Sequence, residues 1–452
     1  MRYYPFNDHI VGDVMRRTCS EHGGILRSMI AAPARDYSDD IRLLSVSGQM
    51  PNYHKVLFDG PVNVNYHLTG YGLYQEEATI RLVGEAIERY SLMVGHYPHR
   101  SRIRYATYAE ISREGAVIPW RYLQSFSDGD YEKFQDSSYK KLRRLREEDV
   151  VGWISCPSLV HPGEERWVPL QMLFVGYGID KTKGEIPFMT GFSTGTASHV
   201  SLEKALVNAI CEFVQIDALM MSWYAGKASD DVIVDDPTLV RAIPQLADPG
   251  NGFELKVMDL RVTEDIDVHV FGCAVVNKRD ERPLIVFGAQ GELDPLKGVY
   301  RGIMEATAIS FLGYYGPLYS PAEYFAAPSG ASFDDLDKNV SYYIHPQDAS
   351  RKRALIDGMS SGRKRYLSSY GSYSTGSPAG DLERLLTGLR KISEHAVYLD
   401  ITPPEVIDQG WRVLRVYIPE LCTMCMPGIP YSQHPRFERF GGVKNAYPHP
   451  LP

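Results

Sequence analysis

Two stretches of the chain place carboxylates along one face of a helix. Aligned without a gap, EEATIRLVGEAIERYSLM (76–93) and EKALVNAICEFVQIDALM (203–220) bring Ala78 over Ala205, Glu85 over Glu212, Leu92 over Leu219 and Met93 over Met220. At about 100° per residue, Ile80, Val83, Ile87, Tyr90 and Val94 form an apolar stripe in the first, and Glu77, Arg81, Glu85 and Glu88 gather opposite it. In the second, Leu202, Ala205, Leu206, Ala209, Phe213, Ile216 and Met220 are the apolar stripe, and Lys204, Asn208, Glu212 and Gln215 hold the polar positions. Carboxylates at i and i+3, as in Glu85 and Glu88, point the same way and can offer oxygens to Mg2+, which takes one or two protein carboxylates and completes its shell with water and phosphate oxygens. Arg89, next to Glu88, has the reach to meet a phosphate oxygen. Two core helices with wet faces would show similar stripes. The matched phase, and the Gly-bearing turn expected before each helix in LTGYGLY (68–74) and FSTGTAS (192–198), favour a Mg-phosphate site.

The surrounding pattern predicts the elements that must hold these helices. Short β-branched or aromatic runs bounded by Gly, Pro or Asp predict strands at 150–160, 167–178, 253–262, 268–277, 283–291, 396–402 and 411–419. Helical periods fall near 75–95, 201–224, 295–314 and 381–394, so the fold class is α/β (α+β) with mixed sheets and a pseudo-repeated helix pair. The polar stretch from about 329 to 381, ending in SSGRKRYLSSYGSYSTGSPAGD, reads as a mobile loop or lid. Residues 1–60 have weak periodicity and read as an N-terminal docking or edge region, with the main domain over 61–452.

Composition narrows the function. A formal charge of -8 speaks against a nucleic-acid binder that works by neutralising phosphates, and the basic run KKLRRLR (140–146) is followed at once by EED, as on a solvated helix face. The N-terminal residues lack the apolar core of a signal peptide, and no uninterrupted apolar run is long enough to cross a bilayer, so no membrane partner is expected and the default compartment is cytoplasmic. Six scattered cysteines fit reduced thiols; Cys422 and Cys425 form a CxxC with no second cluster to complete a zinc site.

With those residues in view, the chain resembles the YcaO family. TGYGLYQEEATIRLVGEAIERYS is similar to the family's first signature, a Ser/Thr-Gly-x-Gly start leading into a helix that ends Glu-x-x-Glu-Arg. STGTASHVSLEKALVNAICEFVQIDALMMSWY resembles the second, KGVYRGIMEATAISF (297–311) the weaker third, and the final PHPLP matches the Pro-x-Pro-x-Pro ending of azoline-forming members. The resemblance implies an ATP- and Mg2+-dependent cyclodehydratase that converts Cys, Ser or Thr of a ribosomal precursor peptide to thiazoline or oxazoline by phosphorylating the backbone amide oxygen. It implies Mg2+ ligands at Glu85, Glu88, Glu212 and Glu203, and nucleotide contacts from Thr69, Gly70, Gly72, Arg89, Ser193 and Gln215. The second signature's Glu-Arg pair is Gln215 and Ile216 here, Lys204 stands where an acid is usual, and Ala308 and Ser310 replace the Gln and Arg of the third.

A chain of this length holds one such unit, so the resemblance implies a stand-alone subunit of the thiazole/oxazole-modified microcin type, similar to the streptolysin-like group, acting as a homodimer in a larger complex. Its partners would be a leader-bearing precursor peptide, an E1-like leader-recognition protein and a flavin-dependent azoline dehydrogenase. Two other readings are a catalytically weakened scaffold subunit, suggested by Gln215, Ile216 and Ser310, and a thioamide- or amidine-forming enzyme of the same fold. Prolines fix φ near about -65° and favour a polyproline II rise of roughly 3.1 Å per residue, so Pro448, Pro450 and Pro452 are expected to form a stiff rod on the order of 15 Å that carries a terminal carboxylate into the active site, there to position substrate or take a proton.

Overall fold

A computed structural model describes residues 8–32, 41, 43–53, 55, 68–136, 141–246, 252–319 and 336–451. Fourteen strands run in chain order: β1 (Ser28–Ala32), β2 (Leu44–Gln49), β3 (Leu68–Gly72), β4 (Arg104–Ala106), β5 (Val151–Pro157), β6 (Glu165–Pro169), β7 (Thr196–His199), β8 (Ser229–Ile233), β9 (Phe253–Asp259), β10 (His269–Asn277), β11 (Ile285–Glu292), β12 (Ser360–Tyr366), β13 (Val397–Asp400) and β14 (Arg412–Tyr417). They form a five-stranded sheet, β11-β10-β9-β8-β12, and three-stranded sheets β1-β2-β3, β13-β14-β7 and β4-β5-β6. All pairs are antiparallel except β12 with β8, so the architecture is mixed α/β. The helices used below are α1 (Asp8–Thr18), α2 (Gln75–Val94), α3 (Leu202–Tyr224), α4 (Pro295–Tyr319), α5 (Leu336–Ile344), α6 (Ala349–Asp357) and α7 (Pro378–Ile392).

Local chemistry sets the starts of the helices that matter. The Ser201 hydroxyl accepts from Lys204 N–H (3.2 Å) at the head of α3, and Asp294 accepts from Lys297 N–H (3.0 Å) at the head of α4, where Pro295 occupies the first turn. α3 is the central helix. By length and composition it alone among the described residues could cross a membrane, yet 89% of its most apolar stretch is buried inside the protein. Leu206, Ala209, Ile210, Phe213, Leu219 and Met220 pack in the same core as Leu82, Val83 and Ile87 of α2 and Val413, Leu414 and Val416 of β14. Helix α2 lies across β3 at Gly70, where a Cβ would sit 1.8 Å from the Ala78 carbonyl oxygen, so only glycine allows the contact.

Two expectations change. The segment 329–381 is a loop over only part of its described residues: from 336 it carries α5, α6, β12 and the start of α7, with 370–377 outside helix and strand. β12 read as loop because all but its first residue is exposed; it is an edge strand with no buried face, so it lacks a two-residue hydrophobic alternation. The boundary drawn at residue 60 is crossed by a sheet, since β2 pairs with β3 from Leu44↔Gly72 to Gly48↔Leu68.

Candidate active site

Three strand-helix units, β3-α2, β7-α3 and β11-α4, build the site by one rule. In each, a helical glutamate accepts a backbone N–H from the preceding strand sixteen residues earlier: Thr69 to Glu85 (3.3 Å), Thr196 to Glu212, and Ala289 to Glu305 (3.0 Å). Gly195 gives Glu212 a second backbone bond. Polar side chains also stand four and eight residues before each glutamate, reading Glu77-Arg81-Glu85, Lys204-Asn208-Glu212 and Lys297-Arg301-Glu305. The repeat that sequence shows as a pair is therefore threefold.

Glu88, one turn beyond Glu85, faces Glu212 closely enough that their charges oppose each other. Arg89 Nη2 lies 3.7 Å from Glu85 and favours ionisation of Glu85, Glu88 and Glu212. Arg415 of β14 is buried behind this group, bonded to Thr196 Oγ1 (2.9 Å) and to the carbonyls of Thr194 and Met172, and its charge acts on Glu212 and Glu88. On the α4 side Arg301 pairs with Glu292, Glu77 accepts from Arg81 (2.6 Å), and the Tyr300 hydroxyl donates to Glu77 (2.7 Å).

Burial dominates the protonation of these carboxyls. It raises Glu85 against the pull of Arg89. Burial, followed by the charge of Glu212, holds Glu88 well above the usual carboxylate range. Burial pushes Glu212 to about 7 against Arg89 and Arg415, and Glu305 to about 8 against the Ala289 N–H and Arg301. Between pH 6.5 and 8 the folded protein thus binds protons that the unfolded chain has lost, so stability falls as pH rises. Below about pH 6.5 the buried histidines His96, His434 and His449, held near 4, act in the opposite sense to these carboxyls, because there the unfolded chain binds protons that the folded imidazoles refuse. Thermal denaturation of the ligand-free protein is expected to show a loss of about 1–2 kcal/mol between pH 6.5 and pH 8. Glu305→Gln should flatten that loss; an unchanged slope would refute the assignment.

This site suits a metal held jointly with phosphate. Among the described residues no three carboxylate, imidazole or thiol groups converge to hold a metal by themselves. A Mg2+ ion would instead use Glu88 and Glu212, whose mutual repulsion it would relieve, and take its remaining oxygens from phosphate and water. Two buried guanidinium nitrogens, Arg301 Nε and Arg415 Nε, have no hydrogen-bond partner, which leaves cationic donors for an anion on both sides of the carboxylates.

The comparisons with known proteins agree. Residues 69–422 match the family described as YcaO cyclodehydratase, ATP- and Mg2+-binding. The chain belongs to the YcaO family. ATP and Mg2+ are accordingly the cofactors of its site. No curated protein matches it by sequence. Among solved structures, a heterocyclase in complex with substrate and cofactor superposes with a TM-score of 0.70 at 17% identity, over 95% of this chain and 54% of that one, so this YcaO chain spans about half that protein's length. The YcaO of Methanopyrus kandleri bound with AMPPCP and Mg2+ gives 0.59 at 13% identity, over 92% of each chain. A chain of the E. coli microcin synthetase McbBCD complex with pro-MccB17 bound gives 0.62 at 14% identity, over 96% of this chain and 99% of that one.

Within this YcaO site the expected residues separate. Glu85, Glu88, Glu212 and Arg89 come together. Thr69, Gly70 and Gly72 lie on strand β3 and not in a turn: Thr69 holds Glu85, and Gly72 leaves room for the Glu77 carboxylate, 2.3 Å from where a Cβ would stand. Ser193 is in the turn before β7, its carbonyl accepting from Thr196 (3.0 Å). Gln215 does not face the cleft; its oxygen accepts from Gly291 N–H (2.9 Å), tying α3 to β11. Glu203 is exposed and accepts from the Ser201 hydroxyl (2.8 Å), nine residues and roughly 13 Å along α3 from Glu212. Pro448 and Pro450 are buried, in a segment bonded to Tyr343 and Asn339 of α5 and to Trp223 and Tyr224 at the end of α3. Trp223 is eleven residues, roughly 16 Å, beyond Glu212, so the described part of the tail is a strap on the core. Pro452 lies outside the described residues. Sequence reasoning missed Glu305 and Arg415; the sixteen-residue spacing from Ala289 was the available signal for the first, whereas Arg415 is brought in only by the pairing of β14 with β7.

Proposed function

We propose that this YcaO chain is the cyclodehydratase subunit of a peptide-modifying synthetase, converting Cys, Ser or Thr of a ribosomal precursor to thiazoline or oxazoline. The observation that carries the reading is the convergence of Glu85, Glu88, Glu212 and Glu305, each on a matched strand-helix unit, with Arg89, Arg301 and Arg415 around them. The bound nucleotide with its metal supplies a phosphoryl group for the substrate's amide oxygen, which makes that oxygen a leaving group. Glu88 and Glu212 would hold the metal, and the backbone bonds to Glu85, Glu212 and Glu305 fix where their free oxygens point. Arg89 meets negative charge on the phosphate side. Arg415 lines a recess with Met172, Phe192, Tyr417, Tyr431 and His434, which suits the side chain next to the ring being closed. A ring forms when a side-chain thiol or hydroxyl adds to the preceding carbonyl carbon, and the oxygen departs as phosphate.

A leader-bearing precursor, an E1-like leader-binding protein and a flavin-dependent azoline dehydrogenase are the proposed partners, with a homodimer of this chain at the centre. The McbBCD complex with pro-MccB17 bound offers a precedent for such an assembly on the same fold. With a precursor and a leader-binding partner present, phosphate release and a loss of about 18 Da per ring should appear together; the absence of both rejects the proposal. The scaffold reading rests on Gln215, whose amide is committed to Gly291, and on Ile216. Mg-ATP binding that Glu85→Ala removes would count against it.

A further inference from the structure

Two lysines occupy equivalent positions on α3 and α4. Lys204 is the third residue of α3 and Lys297 the third of α4, each eight residues, roughly 12 Å, ahead of its unit's glutamate. Helix first turns carry the positive end of the macrodipole and disfavour cations. Here two such ends and three cations meet a single buried carboxylate: Lys297 Nζ is 3.0 Å from Glu292, Arg301 pairs with the same oxygen, and Lys204 is close enough for its charge to act on Glu292, Lys297 and His199. Burial works to raise Glu292, yet Arg301, Lys297 and Lys204 together hold it below the usual carboxylate range, so it is already ionised and one negative charge short of balancing even two of them. The other acids nearby are committed: Asp294 caps α4 and Glu203 turns outward to Ser201. The nitrogen Arg301 Nε, buried and without a partner, belongs to the same group.

We propose that Lys204 and Lys297, with Arg301, seat the phosphate chain of the nucleotide, so that ammonium groups meet part of its charge and less of it depends on Mg2+. The inference rests on the nucleotide-binding part of the function proposed above. The position equivalent to these lysines in the first unit is Glu77, which Arg81 and Tyr300 neutralise and hold, so the cationic seat is confined to the α3 and α4 sides.

Calorimetric titration with ATP and with inorganic triphosphate, each in Mg2+ and in EDTA, tests the proposal without requiring turnover. The wild-type protein should retain measurable binding of both in EDTA. Lys204→Ala and Lys297→Ala should each weaken binding in EDTA by roughly tenfold or more, the loss of one charge-assisted contact, and by less in Mg2+. Lys204→Arg should restore most of the affinity, and Lys204→Glu should make binding strictly Mg2+-dependent. Should Lys297→Ala fold poorly because Glu292 loses a partner, the Lys204 series decides alone. Unchanged affinity in EDTA for the Ala variants overturns this inference and leaves Mg-ATP binding intact; absence of ATP binding to the wild type even with Mg2+ overturns the nucleotide reading itself.

Discussion

Replacing Glu88 by glutamine is expected to abolish ATP turnover and, in the same protein, to raise the thermal stability of the ligand-free state. Both effects come from one fact. Glu88 is buried opposite Glu212, and each carboxylate makes the other's ionisation more costly. Without a dication the pair is a source of strain, which an isosteric neutral amide removes. With Mg2+ and phosphate bound, the same two charges would hold the metal, and losing one should lower phosphate release by at least about 100-fold, as when other preorganised electrostatic contacts are deleted. Glu212→Gln should behave likewise. The double variant should be no slower than either single one, because the carboxylates act as a unit. Phosphate-release kinetics and a melting curve at pH 8, each measured for all three variants, check the prediction. Turnover of Glu88→Gln within about threefold of wild type, or a clear fall in its melting temperature, would remove Glu88 from the site.

Legibility in the sequence tracked how locally each feature is encoded. The helix pair could be read because α2 and α3 carry their polar groups in the same phase, and a 3.6-residue period survives in any single amphipathic helix. The third unit was harder: α4 shares the stripe Lys297-Arg301-Glu305, but its remaining residues are almost uniformly apolar, so no polar face stands out. What relates the three is a hydrogen bond from strand to helix sixteen residues apart, which no helical period contains. β3 read as a turn because LTGYG supplies two glycines, and in the fold they permit close contact with α2 without bending the chain. Arg415 was out of reach for a different reason. It comes from β14, more than two hundred residues after β7, and stands beside Glu212 only because Arg415 pairs with Thr196 across the sheet. Ile216 packs in the apolar core, and the topology brings the charge of Arg415 to Glu212.

The second-signature residue Asp217 has a structural duty, and breaking it should have the largest effect on stability. Asp217 is fully buried near the end of α3; it accepts from Arg436 Nε (3.0 Å) and Nη2 (2.6 Å) and from Cys422 N–H (2.9 Å), while Arg436 Nη2 also donates to Thr263 (2.7 Å). Removing one partner of such a pair leaves an uncompensated charge in the interior, so Arg436→Ala should cost about 3–5 kcal/mol. Replacing both partners, as in Asp217→Leu with Arg436→Met, should recover much of that loss, because the pair's own attraction only offsets the cost of burying two ions. Urea denaturation with an unchanged slope would read the difference directly. The loss should also reach the active site. The pair anchors the segment from Cys422 to Arg436, and Tyr431 and His434 of that segment line the recess beside Arg415. Turnover should therefore fall in Arg436→Ala even at temperatures where the variant is fully folded, with the Michaelis constant for the proposed peptide substrate rising more than that for ATP. An equal effect on both substrates would mean that the pair supports the whole fold and has no particular hold on the recess beside Arg415.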